Sequence, residues 1–532
     1  MVTLTQRPRT GVKQLIKKHA CYFTLALLAA PLVARADDLP VEPLGMVQVT
    51  LTQLPQACPT LASRINEPAQ ALLQAFYQSQ NYQPIWADKE RLAAFKAALP
   101  SLADDGLDPL NYPLPEPKDL CADIEISRQY LQALQDLHYG RLPQARFEPV
   151  WHANEVTPDR TPILSIAQLG LNNIDQGFAQ ARPGFELYKN LRHVYAQQRL
   201  QPLPIWPTVP DGPVLRPGMQ DSRVPVLVQR LRGEGYLDHS FAPLDNLYSN
   251  ELVSAIKGFQ LNHSLQADGI LGAGTLKELN VSPEVRREQL RINLERFRWM
   301  AQDFEPSMLL VNVPAAKLTV YENGAPVWQT RTQVGRPDRQ TPLLKSRVTR
   351  LTLNPTWTIP PTIFKEDKLP QIRRDASFLS RHDLQVIDSN GQPLSPQSID
   401  WDRPGNILLR QGAGPRNPLG KIVLRFPNPF SVYLHDTPSQ ALFSKGPRAF
   451  SSGCVRVESV FQLRDVLVTP AEKNRTEDLL STGKTHEFRL SDPKPILMTY
   501  WTAQADAAGN VIYTPDIYSR DQALIKALAN KR

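Results

Sequence analysis

Cysteine is nearly absent: four stand in 532 residues, at positions 21, 58, 121 and 454. Long apolar runs are missing beyond the first 36 residues, and a membrane span needs about 20. No later segment therefore reads as a transmembrane helix. The N-terminus has the one candidate, and it reads as a leader. Arg7, Arg9, Lys13, Lys17 and Lys18 precede the apolar run ACYFTLALLAAPLVA, which ends at the small-x-small pattern Ala34-Arg35-Ala36. Charged region, apolar region and cut site together predict a secretory signal peptide over 1–36, with an uncleaved anchor as the alternative. Positive charge is also scarce once that leader is set aside. The leader holds six of the basic residues and no acid, leaving 54 basic against 52 acidic residues and a formal net charge of +2. No basic stripe remains, which excludes nucleic acid as an expected partner.

The remaining 496 residues exceed one core, and two to four domains are expected. Residues 37–200 read as a helical scaffold. EPAQALLQAFYQSQNYQPIW sets Leu72, Leu73, Phe76 and Tyr77 at helical spacing, and LQALQDLHYGRL gives another helix. The stretch 201–217 has six prolines in seventeen residues, so a semi-rigid extended linker is expected over 201–220. Residues 221–281 predict a compact three-helix unit. Its Gly235-Tyr236 turn, Phe259-Gln260 and Asp268-Gly269-x-x-Gly272-x-x-Thr275 together resemble the type 1 peptidoglycan-binding domain; a generic three-helix bundle is the alternative. A helix within 282–306 follows, with Ser282 as N-cap and Pro283 in the first turn. Leu290, Leu294 and Phe297 form its apolar face.

From 307 the pattern becomes strand-like. MLLVNVPAAKLTVYENGAPVWQTRTQVG alternates apolar and polar residues around the hairpin signal Asn323-Gly324. SRVTRLTLNPTW, NILLRQG, KIVLRF and SVYLHD read as further strands. Residues 362–408 interrupt them and predict a helical cap inserted in a β-rich domain of 307–490, leaving 491–532 as a C-terminal segment. The fold class expected is multidomain α+β.

The stretch AFSSGCVRVE (449–458) holds the chemistry. An exported chain with cysteines at 58, 121 and 454 has one thiol too many for pairing. Cys58 and Cys121 share the helical region and are predicted to form a disulfide, which leaves Cys454 free. His435 ends a strand-like run nineteen residues earlier. An imidazole beside a thiol takes its proton and holds a thiolate–imidazolium pair. Gly453 lets the backbone approach a ligand, and the N–H groups of Gly453 and Cys454 are candidate oxyanion donors. Arg456, Tyr433 and Ser452 are the candidate substrate-binding residues, Arg456 as a fixed charge for a carboxylate. A buried structural cysteine is the competing reading of Cys454.

The combination His-Asp-Thr (435–437) and Ser-Ser-Gly-Cys-Val-Arg-Val (451–457) resembles the signature of YkuD-domain L,D-transpeptidases. NPTWTIPPTI, NPLGKIVLRFPNPFSVYLHDTP and the tail YWTAQADAAGNVIYTPDIYSRD resemble the large multidomain Gram-negative subgroup typified by YcbB. That subgroup has a helical scaffold and a peptidoglycan-binding domain in this order. Ser452 departs from the commoner second histidine of the family, and Asp436 from its common glycine. The loss of that histidine removes the rival base and favours His435. The resemblance implies a periplasmic enzyme that forms 3→3 cross-links between stem peptides. Cys454 would be the nucleophile and His435 the base and then the acid. It implies acylation by carbapenems and no cofactor or metal. Partners expected are peptidoglycan stem peptides, with other cell-wall synthesis proteins as further candidates. A hydrolase on the same fold and an inactive peptidoglycan-binding scaffold stay open as alternatives.

Overall fold

The computed structural model describes residues 45–153, 161–242, 245–375 and 377–530. The predicted leader lies outside them. Among the described residues, no helix is long and apolar enough to cross a membrane.

The scaffold is helical, with main helices at Glu67–Gln78, Lys89–Ala98, Leu120–Tyr139, Thr161–Asn172, Ile174–Ala181 and Glu186–Leu200. Asn66, Asp88, Asp119 and Asn173 cap four of them by accepting backbone N–H groups that the first helical turn leaves free. Leu72, Leu73, Phe76 and Tyr77 all enter one core, together with Trp86, Phe95, Tyr130 and Phe178. A disulfide joins Cys58 to Cys121, with Cα atoms 5.7 Å apart.

The small domain packs helices Val224–Gly233, Asn250–Asn262 and Ala273–Leu279. Its motif residues have a clear task. The Gln260 amide donates to Asp268, Ile270 O and Thr275, and its carbonyl oxygen accepts Gly269 N–H at 2.8 Å. One side chain thus holds the turn between two helices. Gly269 has φ +70°, and a Cβ there would meet Val253 at 2.6 Å. The proline stretch is extended, but it is not a free linker. Val209 and Leu215 are fully buried in the small domain's core, and Val209 exchanges two hydrogen bonds of 2.9 Å with the Asn280 amide.

The helix Pro283–Trp299 joins the parts, capped by Ser282. Leu290, Leu294 and Phe297 enter a core shared with scaffold and sheet residues, among them Tyr188, Leu310 and Trp501. One buried arginine on the same helix, Arg296, binds both Glu148 of the scaffold region and Asp521 of the C-terminal helix.

The strands, in chain order, are β1 (Trp151–His152), β2 (Met308–Asn312), β3 (Lys317–Glu322), β4 (Ala325–Gly335), β5 (Leu344–Leu353), β6 (Trp357–Thr358), β7 (Leu384–Ile387), β8 (Pro393–Leu394), β9 (Leu408–Gln411), β10 (Ile422–Arg425), β11 (Leu434–His435), β12 (Ala449–Ser451), β13 (Val455–Val457), β14 (His486–Thr499), β15 (Ala503–Ala505) and β16 (Val511–Tyr513). The path β5-β10-β11-β13-β4-β3-β2-β14 closes on itself, because β14 pairs with both β2 and β5. Closure removes exposed edges. Its apolar positions, such as Leu318, Val334, Leu351, Leu424, Leu434 and Val455, form one core. Asn323 (φ +51°) and Gly324 (φ +80°) make the tight turn between β3 and β4.

Two expectations change. The domain boundary drawn at 490 falls inside β14, which closes the barrel, so the start of the C-terminal segment is part of the barrel. The cap is mixed rather than helical. Short helices from Pro361 to Arg381 sit on a four-stranded sheet, β6-β9-β7-β8, around a separate core of Ile359, Phe364, Ile372, Val386 and Leu409.

Candidate active site

β12 and β13 both pair with β4, one parallel and one antiparallel, so the chain doubles back between them. Ser452, Gly453 and Cys454 make that reversal, and Gly453 has φ +114°, a conformation that favours glycine. Ser451 fixes the turn from inside. Its hydroxyl donates to Cys454 O at 2.5 Å and accepts Gly453 N–H at 3.1 Å. Thr341 fixes it from below by donating to Gly453 O at 2.8 Å. The spacing of the motif does not announce these two positioning residues.

β11 runs parallel to β13, with His435 opposite Arg456. Val455 N–H donates to Tyr433 O at 3.1 Å, which extends the pairing by one step. Side chains two apart on a strand share a face. Tyr433, His435, Cys454 and Arg456 therefore form a four-cornered patch, and all four line a cavity of about 590 Å³. Trp357, Ile363, Lys368 and His382 of the cap line the same cavity.

His435 is 4% exposed. Its Nδ1 donates to Asp436 O at 2.5 Å, which leaves Nε2 unprotonated in the neutral ring. Burial, and then the charge of Arg456, lower its pKa to about 3 against the raising effect of the Asp436 and Pro418 carbonyls. Asp436 has a structural task here: its carboxylate accepts Lys421 N–H at 2.8 Å and pins the loop beside His435.

The Cys454 thiol lies 3.7 Å from Ser431 O. Burial raises its pKa, opposed by the backbone and hydroxyl of Tyr433 and by Arg456 and Arg425. Tyr433 stands edge-on to His435 with ring centres 5.6 Å apart, and the Arg425 guanidinium lies 5.2 Å from its ring centre. The expected thiolate–imidazolium pair is not formed at rest. No hydrogen bond joins Cys454 to His435, and burial favours the neutral form of both groups; the Arg456 charge adds to that for the imidazole and opposes it for the thiol.

Arg456 donates to Gln333 at 3.1 Å, and its Nε is buried without a partner. Burial lowers its pKa. Among the described residues, neither Arg456 nor Arg425 forms an ion pair; Arg425 donates to Thr352 instead. Ser452 lines the cavity with its hydroxyl tied to Arg339 at 3.1 Å. Arg339 also bonds Asp367 of the cap at 2.7 and 3.0 Å. Of the two expected oxyanion donors, Gly453 is corrected: its N–H is committed to Ser451. Among the described residues, the Cys454 N–H has no hydrogen-bond partner, and it remains available. Among the described residues, no group of three His, Cys, Asp or Glu side chains could hold a metal ion.

Residues 306–471 match the model of the L,D-transpeptidase catalytic domain (YkuD), 71–194 a scaffold domain, and 220–279 the "Putative peptidoglycan binding domain" of type 1. A Haemophilus influenzae protein described as "Putative L,D-transpeptidase" is 32% identical over 302 residues, 55% of this chain and 60% of that protein. Solved structures include an L,D-transpeptidase from Stackebrandtia nassauensis, 15% identical with a TM-score of 0.21, the match covering 55% of this chain and 96% of that one. Another is an L,D-transpeptidase in complex with imipenem, 14% identical with a TM-score of 0.18, covering 36% of this chain and 59% of that one. Residues 306–471 are a YkuD-type L,D-transpeptidase catalytic domain, carried in one chain with a type 1 peptidoglycan-binding domain at 220–279.

Proposed function

We propose that this chain is a periplasmic L,D-transpeptidase that forms 3→3 cross-links in peptidoglycan through a thioester on Cys454. The observation that carries the reading is the patch of Cys454, His435, Tyr433 and Arg456 on one face of β11 and β13, at the wall of a capped cavity. Export is supported by the N-terminal sequence alone.

The donor tetrapeptide enters with a carboxylate against Arg456, which lines the cavity and has no acid partner among the described residues. Sγ leaves Ser431 O and turns to Nε2 of His435, since catalytic hydrogen bonds often tighten only when substrate binds. Sγ attacks the carbonyl of the L-centre of diaminopimelate as His435 takes the thiol proton. The oxyanion that forms meets the Cys454 N–H. Collapse breaks the amide bond, His435 returns the proton to the leaving amine, and D-alanine departs. The side-chain amine of a second stem then attacks the thioester, giving the cross-link and the free thiol. The cap covers this cavity and keeps water from the thioester.

The test is intact-protein mass after incubation with a carbapenem, since one solved L,D-transpeptidase is recorded with imipenem. One adduct per chain, mapped to the peptide holding Cys454 and lost in Cys454→Ala, is the expected result. An adduct that persists in Cys454→Ala contradicts the assignment.

A further inference from the structure

Three side chains form a row across the barrel wall, from β10 to the Cys454 turn. β10 and β11 are antiparallel, with Leu424 opposite Leu434. One step further sets Arg425 opposite Tyr433. β11 and β13 are parallel, with Leu434 opposite Val455. One step earlier sets Tyr433 beside Cys454. Residues opposite one another on paired strands share a face, so Arg425, Tyr433 and Cys454 stand side by side. The Arg425 guanidinium lies over the Tyr433 ring, 5.2 Å from its centre. The Tyr433 hydroxyl in turn acts on the thiol as a hydrogen-bond donor that favours the thiolate.

Arg425 holds this place at a cost. On its other side it stands opposite Arg350 of β5, and like charges directly opposite destabilise a sheet. Arg350 has an acid, Glu487, at 3.4 Å. Arg425 has a hydroxyl instead: its Nε donates to Thr352 at 2.6 Å, and Thr352 donates onward to Glu487 at 2.7 Å. Arg425 also stands back from the substrate. Arg456 lines the cavity around Cys454, and Arg425 is not among the residues that do. A cation kept opposite another cation, out of reach of a substrate carboxylate, has the Tyr433 ring as the group it acts on.

We propose that Arg425 is a positioning residue for the acyl transfer, acting through the Tyr433 ring to stabilise the Cys454 thiolate. A cation over an aromatic face is attracted by the ring electrons. On a phenol, the same attraction makes the O–H a stronger donor. A stronger donor beside sulfur offsets part of the burial that holds the thiol neutral. This role rests on Cys454 being the reactive thiol of the proposed transfer. Other groups around the sulfur stay constant in the test. His435, with a pKa of about 3, is neutral throughout the range used. Arg456 keeps its charge. The remaining charged or titratable groups of the cavity are Arg336, Arg339, Asp367, Lys368, His382 and Arg416, and the substitutions below touch none of them.

The test is the rate of alkylation of Cys454 by iodoacetamide between pH 6 and 10 in the full chain. Mass analysis of the peptide holding Cys454 keeps Cys21 out of the count. Below the thiol pKa the rate falls tenfold per pH unit, so a shifted curve reads as a rate ratio. Arg425→Gln is expected to move the curve up by about one pH unit, a roughly tenfold loss of thiolate at a given pH. Tyr433→Phe keeps the ring, loses the donor, and should move it at least as far. Arg425→Lys keeps a cation and should stay within about threefold of the parent. The deciding arm is the double variant: added to Tyr433→Phe, Arg425→Gln should move the curve no further. The proposal is overturned if Arg425→Gln keeps the parent curve, or if Arg425→Lys shifts as far as Arg425→Gln. It is also overturned if Arg425→Gln shifts the curve equally with Tyr433 and with phenylalanine, since the charge would then act on sulfur directly. Arg425 is only half-buried, so melting curves should match the parent; should Arg425→Gln unfold, Arg425→Met takes its place in every arm. Iodoacetamide needs no stem peptide, so a failed transpeptidase reading leaves this result standing, and parental curves in the variants leave that reading standing.

Discussion

Two sets of arginines in this protein, one buried and one half-buried, have opposite surroundings. On the connecting helix, the Arg296 side chain is 1% exposed and lies 2.6 Å from both Glu148 and Asp521. Arg298 lies 2.5 Å from Glu295. Around Cys454, Arg456 and Arg425 have no acid partner among the described residues. The charge balance follows. Burial opposes the charge of Arg296, but Glu148 and Asp521 outweigh it and raise its pKa. At Arg456 burial wins and the pKa falls. Where arginine joins domains, the chain supplies the counter-charge. Arg456 faces the cavity without an acid partner among the described residues, and its counter-charge is left to the substrate.

Breaking the joint should have the largest effect. Arg296→Met leaves Glu148 buried and unpaired, at about 3–5 kcal/mol. Urea unfolding of the variant reads this directly, and parental stability would show that the pair is not what holds the domains.

Next is the neutral pair in the patch. His435→Gln should slow carbapenem acylation at pH 7 at least 100-fold, about 2.7 kcal/mol. The pH profile sharpens the point. The reactive form is one proton shared by thiol and imidazole. It persists from above the His435 pKa of about 3 up to the raised thiol pKa. The parent rate should therefore be level between pH 5 and 8, whereas that of His435→Gln should climb about tenfold per pH unit with the thiolate fraction. A parental inflection near 6.5 would mean an ordinary, solvated histidine.

Arg456→Gln should separate the cavity arginines from those of the joint. Stability is expected to match the parent, since the substitution removes a buried Nε that has no partner. Turnover of tetrapeptide donors should fall ten- to a hundredfold, about 1.4–2.7 kcal/mol. A variant as unstable as Arg296→Met would erase the distinction.

The smallest effect concerns an arginine that lines the cavity yet has an acid partner. Arg339 pairs with Asp367 of the cap and also holds Ser452. Asp367→Asn weakens that tie by roughly 1 kcal/mol or less. The expected result is a few-fold rise in hydrolysed tripeptide product relative to cross-linked product, measured by chromatography. An unchanged ratio would show that the cap shields the thioester without this tie.

Much of this was legible in the sequence, because periodicity and turn residues are local. Phe76, Leu294 and the Asn323-Gly324 turn needed only their neighbours. What was not legible depends on distant partners. Val209 and Leu215 looked like linker until Asn280 and Leu271 were beside them. β14 crosses position 490 because its partners, β2 and β5, lie more than 130 residues earlier. The cap strands β6 and β8 are two residues long and carry no alternation to read. In the site, the motif pointed to Cys454 and His435. It did not reveal that Ser451 consumes the Gly453 N–H, or that Arg425 stacks on Tyr433 from a separate strand.

The central claim is acyl transfer through Cys454 to an amine. The direct measurement incubates the full chain with purified tetrapeptide-bearing muropeptides and identifies products by mass and fragmentation. The account predicts D-alanine and 3→3 dimers in equal amounts from the parent, and neither from Cys454→Ala. Dimers from Cys454→Ala, or D-alanine with tripeptide monomers alone from the parent, would contradict it.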